Sequence, residues 1–349
     1  ILVNDSHEVI YWLSKKGLKF VPIKGKQSFV VNGVTKYWGG LTLEVKNQGE
    51  GLVKSLTNIV KKNGIEIKYD VAAKKLIKKN NQIKGIGVLN KGKKELILCN
   101  SVILAGGGFE ANSKIRSKYL GKGWDKAKVR GTKHNTGDGL NMAFEHDAAR
   151  YGEWNGCHAV FHDMNGPKFS DLKIAAKYRK ISYPWGIVLN ANGERFVDEG
   201  EDLRNYTYAK FGREVIKQPK QFAWQIFDQK VRPMLYNEYD VKSATKVKAN
   251  SLEDLVKKLK GVNANKALST ILKYNQSVNT KVKFDPTIKD GKNTKGLKIN
   301  KSNWANKIDK SPFYAFGVTC GITFTFGGLK INNKCEVLDN RKKPIKGLY

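Results

Sequence analysis

The spacing of hydrophobic residues predicts several amphipathic helices along the chain. The clearest pattern covers residues 50–63, where apolar residues three and four apart fall on one helical face and Gly64 follows the last turn. The same spacing predicts further helices at 5–17, 112–120, 142–149, 252–259 and 266–275. The chain therefore alternates helices with shorter segments that carry a different pattern.

Those shorter segments alternate apolar and polar residues, which is typical of strands. Strands with turns are predicted at 18–40, where the last residues are Trp38-Gly39-Gly40, and at 65–69, 73–77, 83–89, 95–99 and 326–340. Residues 101–105 differ because they are almost continuously apolar. Such a run favours a strand that is buried on both faces, as in a parallel sheet.

Two glycine-rich segments are candidates for ligand binding. Gly106, Gly107 and Gly108 follow the apolar strand, and glycines at that end of a strand let a ligand approach the backbone closely. Asp138 lies between two glycines before the helix at 142–149, where it would bind a ligand beside backbone N–H groups. A tight turn in the first segment and a helix cap in the second would need the same residues.

Length and charge exclude some classes of protein. The chain has 349 residues, enough for two domains, and 64 basic against 31 acidic residues give a net charge of +33. However, 55 of the basic residues are lysines spread along the chain, whereas proteins that recognise nucleic acid usually rely on arginine. We interpret the charge as solvated surface that also attracts anionic substrates, rather than as a nucleic-acid site.

Membrane insertion and metal binding find no support in the sequence. No apolar run approaches the roughly 20 residues that cross a bilayer, so no integral membrane segment is expected. The four cysteines lie far apart without a CxxC motif, which fits reduced thiols in the cytoplasm. No cluster of residues has the spacing of metal ligands.

Five segments occur together in an order that resembles one flavoprotein family. They are AGGGF at 105–109, TGDGL at 136–140, GIVLNANGERFVDE at 186–199, GGL at 327–329 and KPIKGLY at 343–349. The chain resembles the family of fumarate reductases, succinate dehydrogenases and 3-ketosteroid dehydrogenases. Four further segments, at 130–132, 156–160, 198–202 and 318–328, resemble the tricarballylate dehydrogenases within it.

The resemblance implies an α/β fold with FAD as cofactor. The expected architecture is a Rossmann-like FAD-binding domain at 1–155 and 326–349, interrupted by an α+β capping domain at 156–325. No GxGxxG motif is present, so the FAD-binding domain is expected to be incomplete and the chain to lack segments at both ends. Alone, it is expected to bind FAD poorly and to be inactive.

The resemblance also implies which residues meet the cofactor and the substrate. Thr323 and Thr325 would face the substrate where the cap rejoins the FAD-binding domain. The cofactor-binding residues would be Ala72, Ala105, Gly106, Gly107, Gly108, Thr136, Asp138 and Gly139.

Three catalytic residues are implied by the same comparison. His158 matches a family histidine that contacts a substrate carboxylate, although a lone histidine of this kind is often a core residue. Arg179 and Arg204 are candidates for carboxylate binding or proton transfer, and their alternative is an ion pair, such as Arg204 with Glu201. The chain departs from fumarate reductases at Leu203, where an arginine is expected, at Phe324, where a histidine is expected, and at Arg179, where an acid is expected.

The predicted function is hydride transfer between flavin and a small polycarboxylate resembling tricarballylate, with the cap closed over the substrate. A fumarate- or urocanate-type reductase and a 3-ketosteroid dehydrogenase are the alternatives within the family. A non-catalytic basic protein that binds polyanions is the alternative from another class. No motif identifies the electron acceptor.

Overall fold

The computed structural model describes residues 2–23, 28–31, 33–37, 43–171, 173 and 177–349. The predicted turn at Trp38-Gly39-Gly40 lies outside these residues. The chain divides into two compact units, one of residues 1–70 with 286–288 and one of 71–285 with 289–349. The predicted domain boundaries at 155 and 325 do not coincide with this division, and they stay a prediction.

The first unit contains two helices and two antiparallel strand pairs. They are α1 (Leu2–Lys15), β1 (Phe20–Pro22), β2 (Ser28–Val31), β3 (Val34–Tyr37), β4 (Leu43–Val45) and α2 (Gln48–Lys62), with β1 paired to β4 and β2 to β3. The structure confirms both predicted helices. The predicted strand at 65–69 is wrong, because the segment pairs with no described strand and leaves Ile65 and Tyr69 exposed.

The second unit begins with an antiparallel meander. Strands β5 (Val71–Lys79), β6 (Gln82–Asn90) and β7 (Lys93–Leu98) pair in that order. Asn80 and Asn81 both have positive φ, as the two-residue turn of a tight hairpin requires. Three of the strands predicted from alternation are thereby confirmed.

The segment at 101–105 is not the predicted strand buried on both faces. Only Val102 forms a bridge, a parallel one with Leu348, and Leu104 donates its N–H to the carbonyl of Tyr349 at 2.7 Å. Ile103 is 76% exposed, so only one side of the segment meets a core. That core joins the meander, helix α4 (Asp138–Phe144) and residues near the carboxyl end: Leu76, Ile83, Val102, Met142, Ala143, Ala148, Val337, Ile345 and Leu348.

A six-stranded sheet forms the centre of this unit. Its strands are β8 (Lys128–Val129), β10 (Cys157–Asp163), β11 (Ile187–Asn190), β12 (Ala223–Phe227), β13 (Lys246–Ala249) and β14 (Phe313–Thr325). The order is β10-β14-β12-β11, and β8 and β13 also pair with β14. All these pairs are antiparallel except that of β8 with β14. The long strand β14 therefore brings distant segments together.

The remaining elements surround this sheet. They are α3 (Ser113–Leu120), α4 (Asp138–Phe144), β9 (Arg150–Tyr151), α5 (Arg204–Ile216), α6 (Leu252–Lys257), α7 (Ala264–Ser277) and β15 (Gly328–Leu329). Helix α4 begins and ends earlier than the predicted helix at 142–149. Phe211 of α5 packs against Phe161 of β10, with ring centroids 5.8 Å apart, which fixes α5 beside that strand. None of the described helices is long and apolar enough to cross a bilayer.

Candidate active site

Strands β8 and β14 place Arg130 beside Thr323. The parallel register pairs Val129 with Ile322, and the backbone N–H of Arg130 donates to the carbonyl of Ile322 at 2.9 Å. The Arg130 side chain then donates from Nη1 to the Thr323 Oγ1 at 2.8 Å. A short strand thus positions one guanidinium on a residue 193 positions later in the chain.

The imidazole of His158 meets the same hydroxyl group. Its Nδ1 lies 3.0 Å from the Thr323 Oγ1, and its side chain is only 9% exposed. The ring of Phe324 stacks on the imidazole at 4.9 Å, and the ring of Tyr208 meets it edge-on at 5.0 Å. We call Arg130, His158 and Thr323 the anion cluster.

A glycine in β14 makes room for the cluster. A Cβ on Gly321 would lie 2.6 Å from the Cβ of His162 and 3.1 Å from the Cγ of Arg130. Any side chain at this position would displace one of them. His162 is buried, and its Nδ1 has no hydrogen-bond partner among the described residues.

Burial and positive charge keep the two histidines neutral. Burial, and then the charge of Arg130, lowers the pKa of His158 to about 4. The same two causes, joined by Lys180 and Lys128, lower the pKa of His162 to about 3. Burial and the charge of Arg179 lower the pKa of Arg130 to about 10, so its guanidinium stays charged at neutral pH. The cluster therefore carries positive charge on arginine and none on histidine.

Arg179 lies near this cluster but is paired with an acid. Its Nη2 lies 2.5 Å from the Glu238 Oε1, and the two side chains are 17% and 13% exposed. Lys180 donates to the carbonyl of Glu238 at 2.7 Å and so fixes the position of that acid. The ion pair that was the alternative for Arg179 is thus present, although it is mostly buried rather than on the surface.

Arg204 begins helix α5 and is buried. Its guanidinium carbon lies 5.7 Å from the ring of Tyr208 and 5.3 Å from that of Tyr236, and its Nη2 donates to the Asn205 Oδ1 at 2.9 Å. Tyr208 also contacts His158, so this ring links Arg204 to His158. Glu201, the alternative partner, pairs with Lys210.

The second strand residue predicted to face the substrate, Thr325, contacts the first glycine segment. The backbone N–H of Phe109 donates to the Thr325 Oγ1 at 3.3 Å. A Cβ on Gly108 would lie 2.2 Å from that oxygen and 2.8 Å from the Glu110 Oε2, so only glycine fits there. Thr325 therefore marks where β14 meets the glycines.

The two glycine-rich stretches lie side by side. The N–H of Ala111 donates to the carbonyl of Asn135 at 2.9 Å, and the Asn112 Nδ2 donates to the carbonyl of Thr136 at 3.2 Å. The Asn135 Nδ2 also donates to the Glu110 Oε1 at 2.6 Å. We call residues 105–108 and 136–139 the glycine segments.

The exposed backbone of these segments fits part of FAD. Ala105, Gly106 and Gly107 are exposed, and no atom of the described residues, apart from the chain neighbours of Gly106, lies within 4 Å of the position of a Cβ on Gly106. Such a bare backbone is what a phosphate or ribose needs for close approach. Asp138 is exposed at the start of α4, and Ala72 is exposed on β5.

The glycine segments and the anion cluster are neighbours. Thr323 and Thr325 are two residues apart on β14, with Thr323 at a β-bulge opposite His158 and Ala159, so their backbones lie roughly 7 Å from each other. Thr323 holds the cluster, and Thr325 contacts Gly108. A molecule on the cluster would therefore lie beside a molecule on the glycine segments. Among the described residues, no group of three metal-ligating side chains comes together.

Comparison with known proteins decides the family. A family model described as FAD binding domain matches residues 1–349. The chain belongs to this FAD-binding family. The predicted cofactor, FAD, is thereby confirmed, and so is the resemblance to fumarate-reductase-type flavoproteins, which the relatives below bear out.

Two curated relatives match the whole chain at 27% identity. One is a probable fumarate reductase of Shewanella frigidimarina, 54% of which is covered, and the other is an NADH:acrylate oxidoreductase of Vibrio harveyi, 33% of which is covered. The chain thus spans about half or less of the length of these relatives. Neither relative is a tricarballylate dehydrogenase, so that finer resemblance stays a prediction.

Solved structures confirm the α/β class and the fold. The open form of a flavocytochrome c3 fumarate reductase matches with a TM-score of 0.71 at 23% identity, over 99% of this chain and 56% of that one. A 3-ketosteroid Δ1-dehydrogenase from Sterolibacterium denitrificans matches with a TM-score of 0.66 at 24% identity, over 86% of this chain and 57% of that one.

Sequence reasoning missed three residues of the site. Arg130 lies in the segment 130–132 that supports the family resemblance, but the sequence predicted no function for it. Tyr208 and Glu238 were not predicted at all. An arginine before a glycine-rich segment was the one available signal for Arg130. Nothing local marks Tyr208 or Glu238, because each reaches the site only through the packing of α5 and of the turn at 237–239.

Proposed function

We propose that the chain is part of an FAD-dependent oxidoreductase that exchanges hydride with a carbon–carbon bond of a small polycarboxylate such as tricarballylate. The observation that carries this proposal is the anion cluster, which lies about 7 Å along β14 from the glycine segments. When bound, the flavin supplies the redox chemistry. The chain supplies charge, orientation and a proton path.

In this proposal the glycine segments hold FAD through their backbone. Ala105, Gly106, Gly107 and Gly108 would meet the pyrophosphate or ribose, with Thr136, Asp138 and Gly139 nearer the flavin and Ala72 towards the adenine. Residues 156–325 would form a cap over the substrate. The open space beside Gly106 supports the assignment of the first segment.

The side chains around His158 would bind and protonate the substrate. The neutral imidazole of His158 would donate a hydrogen bond to a substrate carboxylate, with Thr323 holding its ring. Arg204 is the candidate for proton transfer, because it lies against Tyr208 beside His158. Arg179 would act on the substrate mainly through its positive charge, since Glu238 already pairs with its Nη2.

A second candidate is a dehydrogenase of an apolar ketone, as in the steroid dehydrogenases of the family. The observation in its favour is Phe324, which is 46% exposed and stacks on His158, where it offers an aromatic surface to a ring system. The charge of Arg130 opposes this candidate, because an apolar substrate would cover a guanidinium without pairing it.

One experiment separates the two candidates. The full-length protein that contains this chain is loaded with FAD and reduced without oxygen. Cis-aconitate, fumarate or a 1,4-diene-3-ketosteroid is then added while the visible flavin absorbance is followed. We expect rapid reoxidation by an unsaturated carboxylate and none by the steroid. Reoxidation by the steroid alone would support the second candidate, and reoxidation by neither class would contradict the proposal.

A further inference from the structure

The guanidinium of Arg130 is poorly satisfied by the protein around it. Of its five N–H donors, one has an acceptor among the described residues, the Thr323 Oγ1 at 2.8 Å. No carboxylate of the described residues lies within 4 Å of it, and the acid nearest in its electrostatic surroundings, Glu238, is paired with Arg179. The side chain is nevertheless partly buried.

Three other buried cations of the second unit have several partners each. Arg195 forms an ion pair with Glu199 at 2.5 Å, and Lys301 donates to the carbonyls of Pro184 and Gly186, both at 2.7 Å. Arg116 donates to four backbone carbonyls. Arg130 differs from these three cations, because the Thr323 Oγ1 is its one side-chain acceptor among the described residues.

The side chains around Arg130 do not supply a counter-charge. His158 and His162 are neutral, and Arg179 adds repulsion that helps to lower the pKa of Arg130 to about 10. A desolvated cation in a positive field is stabilised by an anion that approaches it. The geometry leaves the other guanidinium N–H groups for that anion, because the backbone of Arg130 is fixed to β14 and its Nη1 to Thr323.

We propose that Arg130 binds a carboxylate group of the substrate as its counter-ion and so determines that the substrate is an anion. Thr323 orients the guanidinium, and His158, on the same hydroxyl, offers a neutral ring nitrogen to the same ligand. The planar guanidinium matches a carboxylate with two parallel hydrogen bonds. The identification of that anion as the substrate rests on the proposed function.

Binding of an unreactive carboxylate tests this role without turnover. Succinate is titrated calorimetrically into the FAD-loaded protein, and its uncharged diamide, succinamide, serves as the reference ligand. We expect Arg130→Gln to weaken succinate binding about 10- to 100-fold, since a charged hydrogen bond is lost. Arg130→Lys should recover part of that loss, because it keeps the charge but not the planar fork.

A matched control removes one positive charge elsewhere. Arg341 is 82% exposed and paired only with Asp339 among the described residues, so Arg341→Gln should leave succinate binding unchanged. Thr323→Val keeps the guanidinium but removes the oxygen that orients it, and we expect a loss of about 3- to 10-fold. This variant keeps the role testable if Arg130→Gln fails to fold, as judged by circular dichroism.

Equal succinate affinity in wild type, Arg130→Gln and Thr323→Val would overturn the role of Arg130. Binding of succinamide as tight as that of succinate would overturn it too. Failure of the proposed function has a different signature: succinate binding depends on Arg130, but no unsaturated carboxylate reoxidises the reduced flavin. If cis-aconitate reoxidises the flavin equally in wild type and in Arg130→Gln, the oxidoreductase stands and the role of Arg130 is wrong.

Discussion

The glycine segments and the anion cluster lie side by side but recognise ligands by opposite means. At Gly106 the chain offers bare backbone with no protein atom in the way. At Arg130 and His158 it offers side chains whose charge and protonation are set by burial. A ligand on the first surface needs the absence of a side chain, and a ligand on the second needs one particular side chain.

This difference predicts two separable sets of defects. Substitutions in the glycine segments act through steric exclusion, so they should reduce cofactor content with little effect on anion affinity. Substitutions in the cluster act through lost charge or hydrogen bonds, so they should reduce anion affinity with little effect on cofactor content. Thr325 lies between the glycine segments and the anion cluster.

The largest effect is expected for Gly106→Val. The new side chain would occupy space that holds no protein atom, so the fold should persist while FAD is excluded. We expect FAD affinity to fall at least about 100-fold, measured as flavin absorbance per mole of protein. Gly49→Val, in equally open space in the first unit, should keep its FAD. Normal FAD content in Gly106→Val would show that this segment is only a turn.

The next largest effect is expected for His158→Ala. Loss of its hydrogen bond to a charged substrate should lower kcat/KM by roughly 2–3 kcal/mol, about 30- to 150-fold. FAD content should stay normal, because the imidazole contacts Thr323 rather than the glycine segments. Loss of FAD without a kinetic defect in the remaining holoprotein would assign His158 to the cofactor side.

Acid should destabilise the fold through His158 of the anion cluster and its neighbour His162. The pKa values of His158 and His162 are lowered to about 4 and 3, so the folded state stays neutral at pH values where the unfolded chain takes up protons. Stability is therefore complete above about pH 6.5 and falls as the pH decreases, by about 2 kcal/mol per histidine at pH 5. Denaturant unfolding at pH 7 and pH 5 measures this loss. His162→Gln should remove about half of it, and an unchanged loss would contradict the assigned pKa values.

The smallest effect is expected for Thr325→Val. The substitution keeps the shape but removes the oxygen that accepts the N–H of Phe109 at 3.3 Å. We expect FAD affinity to fall only about 3- to 5-fold, because one neutral hydrogen bond is lost. Succinate affinity should be unchanged within error. A larger loss in succinate than in FAD affinity would place Thr325 on the cluster side of the boundary.

Sequence patterns found the glycine segments but not the complete cluster, for a physical reason. Gly106 to Gly108 form a local signal, because an apolar segment followed by glycines can be recognised within about ten consecutive residues. Arg130 reaches Thr323 only through the pairing of β8 with β14, which no local spacing reveals. The carboxylate partner of Arg179 is likewise 59 residues away, at Glu238.

The prediction of a strand buried on both faces at 101–105 was wrong, because burial was inferred from apolar composition alone. Residues 101–105 have the apolar character of a strand covered on two faces, but in the described structure only Val102 and Leu104 face a core. The meander succeeded because the turn at Asn80 and Asn81 fixes its register locally. Local turns were thus more informative than hydrophobicity.

The most direct test of the account is whether an anion bound at the cluster changes the visible spectrum of a flavin bound at the glycine segments. Succinate is titrated into the oxidised FAD-loaded protein while the visible flavin spectrum is recorded. The account predicts a saturable spectral change in wild type that is strongly weakened in Arg130→Gln and retained in Arg341→Gln. Calorimetric binding of succinate without any flavin spectral change would show that the two ligands are not neighbours and would contradict the account.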